Sequence, residues 1–201
     1  MALMYDTIME LPLFKGIGED QLSQLLEKTS IEFLKYTDGE IIANAKTPVK
    51  AVDFILKGKV KNTYRMENFP IRIEEVIGEG SMLGAMRLYG IDPTHAATIT
   101  AVGNVSIMRI EKSQYMNILQ SDRIYILNFV NYLAAAAQKS QAMMLDQQYP
   151  SISRTLDTLA YSVASKRAES VKIVGSDEDI ASYCGVSVEE FRAWKAGGDK
   201  K

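Results

Sequence analysis

The chain has 201 residues, of which 47% are hydrophobic and 24% charged, and its formal net charge is -2. This length fits one or two domains, and the charge excludes a polycation, so any role on DNA must depend on local positive charge. The single cysteine excludes an intramolecular disulfide and a cysteine-ligated cluster. No apolar run reaches the roughly 18 residues of a membrane span, and no signal-peptide pattern opens the chain. We therefore expect a cytoplasmic protein with no membrane partner.

The first 111 residues are predicted to form short helices followed by many short strands. Leu22, Leu25 and Leu26 make an apolar stripe at helical spacing. After this helix, glycines recur between short alternating runs, which is typical of an antiparallel barrel or roll. We interpret Asp38-Gly39 and Lys57-Gly58-Lys59 as hairpin-type turns.

Residues 112–149 contain neither glycine nor proline and are predicted to form a long helix preceded by a shorter one. A helix of this length with one apolar stripe usually pairs with a second helix. We therefore predict a homodimer through this dimerisation helix. The stripe consists of Ile126, Val130, Leu133, Ala137 and Met144. The alternative is that the stripe packs on its own roll, as we expect for its first two turns.

Pro150 ends the long helix, and residues 150–201 are predicted to form a helical domain. A first helix runs from Ile152 to Lys166, and a helix-turn-helix pattern extends from Ser176 to Lys195. The whole chain is thus an α+β protein with segments 1–111, 112–149 and 150–201.

Small and capping residues define the helix-turn-helix. Ala181 stands where two helices cross closely, and Gly185 stands where the first helix ends in a left-handed turn. Ser187 with Glu190 has the spacing of a capping box for the second helix. The apolar contacts between the helices are predicted to come from Ile180, Cys184, Val186, Phe191 and Trp194.

The order of roll, long helix and helix-turn-helix resembles the Crp/Fnr family of transcription regulators, which includes the cyclic-AMP receptor protein. Four motifs carry this resemblance in the same order. They are Leu11-Pro12-Leu13-Phe14-Lys15-Gly16-Ile17, Tyr36-Thr37-Asp38-Gly39-Glu40-Ile41-Ile42, Phe54-Ile55-Leu56-Lys57-Gly58-Lys59-Val60 and Gly78-Glu79-Gly80-Ser81-Met82-Leu83-Gly84. The resemblance implies a cyclic-nucleotide-binding-like jelly-roll as sensor, a homodimer, and DNA as partner.

Two segments stand where the family has its nucleotide-phosphate cassette. In members that bind cyclic nucleotides, the resemblance implies a glutamate on the ribose hydroxyl and an arginine on the phosphate. Here Gly84-Ala85-Met86 and His95-Ala96-Ala97 take these places. Ala85 accepts no hydrogen bond and His95 is mostly neutral at pH 7, so we do not expect cyclic AMP to bind in the usual geometry.

An effector of unknown identity is still expected at the cassette. Its predicted contacts are Gly84, Ala85, Met86, His95 and Ala96. Two alternatives remain open. Either the cavity holds a more apolar ligand, or Met86 and Leu88 fill it.

The reading helix also departs from the family pattern. Members commonly place Arg-Glu-Thr at its start, whereas this chain has Val188-Glu189-Glu190, which removes the bidentate arginine of the usual guanine contact. Acidic residues outnumber basic ones from Ser176 onward, which is unfavourable near phosphates. With no wing hairpin after this helix, we expect a truncated winged helix and weak DNA binding. The residues predicted to face the groove are Ser187, Val188, Glu189, Arg192 and Lys195.

No pattern in the sequence points to an enzyme, a cofactor or a metal site. His95 is the only histidine, and neither a nucleophile elbow nor a phosphate loop occurs. We expect His95 at a surface or rim position, Cys184 as a buried structural thiol, and Asp177-Glu178-Asp179 as an acidic turn that favours the helix dipole. The sequence favours a DNA-binding transcription regulator. The alternative is a dimeric ligand-binding or protein-interaction module with a degenerate DNA-binding head.

Overall fold

The computed structural model describes residues 2–145, 151–165 and 167–197, with side chains in the first range described from 5 to 141. Helices α1 (Ala2–Met9) and α2 (Glu19–Lys28) open the chain, with a 3-10 turn at Pro12–Phe14 between them. Leu22 is buried, and Leu25 and Leu26 pack against the same core, which confirms the predicted stripe. These helices close one end of the sheet that follows.

Seven strands form one antiparallel sheet in the described part of the chain. They are β1 (Glu32–Tyr36), β2 (Ile41–Ala43), β3 (Ala51–Arg65), β4 (Arg72–Ile77), β5 (Met82–Leu83), β6 (Thr98–Glu111) and β7 (Ala168–Val174). The main order is β1-β6-β3-β4-β7, with β2 also on β6 and β5 also on β3. The interior is lined by Ile55, Val60, Ile77, Leu83, Ile99, Ala101, Val105 and Ile107. The predicted α+β fold with an antiparallel β-roll is confirmed.

The segment Lys57-Gly58-Lys59 is not a hairpin turn, and this corrects the sequence prediction. Strand β3 runs through it, while its register with β6 shifts on both sides of Lys57. Gly58 has φ 88°, and a Cβ there would collide with the carbonyl oxygen of Asn104. Glycine is therefore needed for a bulge inside a long strand, because only glycine tolerates both the angle and the close approach.

Two helices follow the roll, as predicted: α3 (Lys112–Ser121) and α4 (Arg123–Leu145). In the first turns of α4, Tyr125 and Phe129 are buried in the core beneath the roll. The rings of Phe129 and Tyr115 meet edge to face, with centroids 5.6 Å apart. The beginning of α4 thus packs on its own subunit.

The last elements are α5 (Ile152–Val163), strand β7, α6 (Asp177–Cys184) and α7 (Val188–Gly197). Helix α5 ends at Val163, three residues before the predicted end at Lys166, which lies outside the described residues. Strand β7 corrects the prediction of a purely helical segment. It pairs with β4 over six positions, from Arg72 opposite Val174 to Ile77 opposite Ala168. We call the part formed by α5, β7, α6 and α7 the head.

Candidate effector site and nucleic-acid interface

In the first cassette segment, Gly84 and Ala85 form a tight turn and carry no charge. Gly84 has φ 79° and precedes a 3-10 turn at Ala85–Arg87. A Cβ on Gly84 would come within 2.9 Å of both the Ala51 carbonyl oxygen and a Val49 methyl group, so only glycine fits. Ala85 is buried and offers no hydrogen-bonding side chain. The charged side chain of this turn, Arg87, is partly exposed and donates to Asp92 at 2.8 Å, so Gly84 and Ala85 provide shape without a side-chain anchor.

His95, from the second cassette segment, lies beside Gly84. Its Cε1 atom is 4.0 Å from the position that a Gly84 Cβ would occupy. Its backbone N–H donates to the Thr47 carbonyl over 2.9 Å, which holds the segment against the roll. Burial lowers the pKa of His95, although the Asp53 carboxylate opposes this shift. The imidazole is therefore neutral at pH 7 and half-buried at the rim, as expected from the sequence.

The side chains around the cassette do not fill the roll interior. Met86 is 55% exposed, which excludes it as a filler, whereas Leu88 is buried in the core beneath the roll. Ala96 is exposed. The structure therefore brings Gly84, Ala85 and His95 together and directs Met86 and Ala96 outward.

A buried polar cluster lies deeper in the roll, and sequence reasoning missed it. Glu75 is only 1% exposed and accepts hydrogen bonds from Asn62 Nδ2, at 2.9 Å, and from the Tyr64 hydroxyl, at 3.2 Å. The backbone N–H of Ser165, just before β7, also donates to Glu75. The Oδ1 atom of Asn62 is buried with no hydrogen-bond partner. The cluster joins the β3–β4 pair to the short segment between α5 and β7.

The Glu75 carboxylate also affects the pKa values of two side chains of α4. Burial raises the pKa of Tyr132, and the nearby charge of Glu75 raises it further. Burial lowers the pKa of Lys139, and Glu75 opposes that shift. Lys139 also donates to the Ala164 carbonyl oxygen. Glu75 thus lies where β4, α4 and the segment before β7 meet. The alternation Ile73, Glu75, Ile77, which places all three on one strand face, is the signal that could have located it.

A partly buried ion pair lies near His95. Arg109 binds Asp53 through two hydrogen bonds of 2.7 Å each, one from Nε and one from Nη2. This bidentate bond raises the pKa of Arg109 above its ordinary value, although burial opposes the rise. Because both groups satisfy each other, this arginine is not free to clamp a phosphate in the described structure.

A short turn with the predicted left-handed glycine, buried alanine and serine cap joins α6 to α7. Gly185 has φ 70°, and its N–H bonds back to the end of α6. Ala181 is fully buried at the crossing, and Ser187 Oγ accepts from the Glu190 N–H at 3.1 Å. Phe191 is buried, and the Trp194 ring lies 5.7 Å from it. Cys184 is half-buried rather than fully buried, and burial raises its thiol pKa.

The predicted DNA-facing residues differ in exposure and in pairing. Ser187, Glu189, Arg192 and Lys195 are exposed, whereas Val188 is half-buried and packs on the head core, which corrects its placement on the open face. Their hydrogen bonds show that the cations are engaged.

Both basic residues of this face bind the acidic start of α6. Arg192 Nη2 lies 2.6 Å from Glu178, and Lys195 Nζ lies 2.8 Å from Asp177. The hydrogen bond from Lys195 lowers the pKa of Asp177. The acidic turn therefore does more than favour the helix dipole, since it also neutralises the two cations predicted to meet DNA.

The roll matches one known family. Residues 33–122 match the family described as the cyclic nucleotide-binding domain. The roll is therefore similar to a cyclic nucleotide-binding domain. No curated protein matches this chain in sequence.

Several solved structures share the fold of this domain. The catabolite activator protein of Thermus thermophilus aligns with a TM-score of 0.61 at 18% identity, covering 90% of this chain and 83% of that chain. The sensor domain of the transcriptional regulator DNR from Pseudomonas aeruginosa gives 0.52 at 23% identity, covering 65% and 91%. A cAMP-binding acyltransferase from Mycobacterium smegmatis gives 0.50 at 19% identity, covering 70% of this chain and 42% of that chain. The same fold thus occurs in regulators and in an enzyme.

Helix α4, which follows the roll and α3, exposes an apolar face. Ile126, Leu127 and Val130 are 46%, 52% and 51% exposed. Ala137 is also exposed, but Leu133 is half-buried against the core beneath the roll, which corrects its place in the outward stripe. The Met144 side chain lies outside the described residues. The open stripe is therefore turned toward Leu127 compared with the prediction.

Two open grooves lie on the outer surface of the domain, where β7 joins it. Their volumes are about 560 Å³ and 370 Å³. Asp38 and Lys172 are among the residues that line the first groove. Lys59, Arg167 and Glu169 are among those that line the second. Neither is lined by a cassette residue. No described helix is long and apolar enough to cross a membrane, and no acidic, histidine or cysteine cluster suited to a metal occurs among the described residues.

Proposed function

We propose that this chain is a homodimeric transcription regulator of the Crp/Fnr type, which binds DNA through α7 and senses an effector other than cyclic AMP. The geometry between α6 and α7 carries the proposal. Gly185 makes the left-handed turn, Ala181 permits the close crossing, and Ser187 caps α7. A second helix held at such an angle, with one face exposed, suits the major groove.

The side chains at the cassette favour an effector that has no phosphate group, because they offer no charged partner for one. Ala85 offers no hydrogen bond, and the lowered pKa of His95 keeps this side chain uncharged. The bidentate Arg109–Asp53 pair leaves that guanidinium occupied. An anionic nucleotide would thus lose its hydration without gaining a cation in return. We therefore propose that the effector is less charged than a cyclic nucleotide and contacts Gly84 and His95.

DNA binding is tested directly by fluorescence anisotropy with labelled promoter fragments at about 50 and 200 mM salt. We expect weak, salt-dependent binding by the wild type. Glu189→Lys replaces an exposed acidic side chain of α7 by a cation and should strengthen binding. Arg192→Ala should lose about 1–3 kcal/mol if this residue reads a base. Lys28→Ala, an exposed cation on α2, is the matched control and should change nothing.

The absence of salt-dependent binding by both the wild type and Glu189→Lys would contradict the DNA-binding function. The second candidate would then be a dimeric ligand-binding or protein-interaction module. The ion pairs of Arg192 and Lys195 with Asp177 and Glu178 favour this second candidate, because they leave the exposed face of α7 without free positive charge.

The homodimer is proposed to form through the exposed face of α4, with a second copy of the chain as partner. Val130→Lys would place two like charges at the centre of the seam, and we expect the dimer to dissociate. Gln120→Lys, an exposed change on α3, is the control. Light scattering gives the mass of each variant. A monomeric wild type, or an unchanged mass for Val130→Lys, would contradict this seam.

A further inference from the structure

The head takes part of its core from the hairpin that joins β3 and β4. The fully buried residues of the described head core include Ile180, Ala181 and Phe191, together with Ile71 from this hairpin. The Phe69 ring meets the Tyr183 ring edge to face, with centroids 5.3 Å apart. We call residues 65–72 the hairpin tip. It is packed into the head although it belongs to the roll in sequence.

Backbone pairing between β4 and β7 also joins the hairpin to the head. A single strand cannot satisfy its own backbone groups, and β7 finds its partner in β4. Gly175, directly after β7, lies so close to Ile71 that a Cβ would sit 3.3 Å from the Ile71 side chain. The hairpin tip is therefore held at a constant place beside the start of α6.

Two arginines stand opposite each other at the hairpin tip. Arg65 pairs with Arg72 in the β3–β4 register, and Arg72 pairs with Val174, two residues before the Ser176 cap of α6. With strands about 4.8 Å apart, Arg65 lies roughly 10 Å from the end of β7. Like charges directly opposite each other destabilise a strand pair. An anion bound between the two guanidinium groups would offset this repulsion.

The two arginines differ in pairing from the cations of α7. Arg65 is exposed and makes no ion pair among the described residues. Arg72 is also exposed and is held only by its strand neighbour Glu74, at 3.0 Å. Arg192 and Lys195 are instead bound by acids of α6. Of these four cations, only Arg65 on the hairpin tip has no ion partner among the described residues.

We propose that the hairpin tip is a second DNA-contact element, in which Arg65 and Arg72 bind backbone phosphates while α7 faces the groove. This inference rests on the proposed function. Phosphate contacts of this kind position a protein on the duplex and carry no sequence information themselves. They would compensate for the net negative charge of the helix-turn-helix.

The test is the salt dependence of DNA binding, measured by anisotropy on one promoter duplex and on one unrelated duplex. The variants are Arg65→Ala, Arg65→Ala combined with Arg72→Ala, and the control Lys28→Ala. Each lost phosphate contact should reduce the slope of log K against log salt by about 0.9. Because each substitution occurs in both subunits of the proposed homodimer, Arg65→Ala should lose about 1.8 and the double variant about 3.6. The affinity ratio between the two duplexes should stay the same, because no base contact is removed.

The outcomes separate the two proposals. If the wild type shows no salt-dependent binding, both the regulator function and the hairpin contact are overturned. If the wild type binds and Arg192→Ala weakens binding, but the hairpin variants keep the wild-type slope, only the hairpin contact is overturned. A slope loss of equal size in Lys28→Ala also overturns it, because overall charge would then explain the effect. If the double variant fails to fold by circular dichroism, Arg65→Glu alone decides, since Arg65 has no described ion pair to lose.

Discussion

The roll and the head bury their cores in different ways. The roll encloses an apolar interior between strands of one sheet, and it also satisfies a buried carboxylate, Glu75, with three donors. Few side chains are buried in the core of the head, and one of these, Ile71, belongs to the hairpin of the roll. A small three-helix segment cannot bury enough apolar surface alone, so it obtains both a strand partner and a core residue from its neighbour. From this difference we expect the head and the roll to unfold as one unit, although the sequence suggests separate segments.

The two regions also treat charge differently. The roll buries Arg109 with Asp53 in a bidentate pair, where breaking one partner would leave an uncompensated charge. The head places its ion pairs on the surface, where exposed pairs contribute little to stability. We therefore expect the charges of the roll to matter for folding and those of the head to matter for what it binds.

The largest effect is expected for Ile71→Ala. This change opens a cavity between the hairpin tip and the head, and should cost about 2–5 kcal/mol of unfolding free energy. The chain has one tryptophan, Trp194, which reports on the head by fluorescence, while far-UV circular dichroism reports on the whole fold. If the two regions form one unit, both probes shift together in a denaturant titration.

Ile91→Ala is the matched control, because Ile91 is fully exposed and should lose no more than about 0.5 kcal/mol. Two separate transitions, with only the tryptophan signal shifted in Ile71→Ala, would show that the head folds on its own. That result would break the comparison between the two regions.

A smaller effect is expected for Glu75→Gln. The amide keeps the shape of the carboxylate but replaces one acceptor oxygen by a donor, so Asn62, Tyr64 or the Ser165 N–H loses its partner. An unsatisfied buried group costs about 1–3 kcal/mol. Urea titration of the variant checks this value.

Glu74→Gln is the control, because Glu74 is the neighbour on the opposite strand face and is bound only by surface cations. It should lose about 0–1 kcal/mol. Equal losses for the two variants would mean that Glu75 does not connect the roll to the segment before β7.

The smallest effect is expected for cyclic AMP added to the wild type. With Ala85 and a neutral His95 at the cassette, titration calorimetry should show no binding at micromolar concentration, and the melting temperature should not move. An isotherm with one ligand per chain would contradict this expectation. It would mean that other groups of the roll hold the phosphate.

Local chemistry made much of the fold predictable from sequence. The alternation in β4 and β6, the glycine-free run of α3 and α4, and the spacing of Ala181, Gly185 and Ser187 all depend on residues near each other in the chain. The structure confirms the strands, helices and turn at these places. The neutral residues of the cassette were also visible, because a side chain's capacity for hydrogen bonding is a property of the residue itself.

Only the tertiary structure decided how distant segments meet. From sequence, Gly58 is interpreted as a turn residue, and only the close approach of the Asn104 carbonyl oxygen shows why glycine is needed inside a strand. The β7 segment likewise forms a strand because β4 lies beside it and pairs with it. The burial of Glu75 and the pairing of Lys195 with Asp177 likewise depend on contacts between residues far apart in the chain. By itself the sequence determined the elements and the residues available at each surface. Their partners followed from packing, because burial and pairing are properties of the assembled fold and not of any single segment.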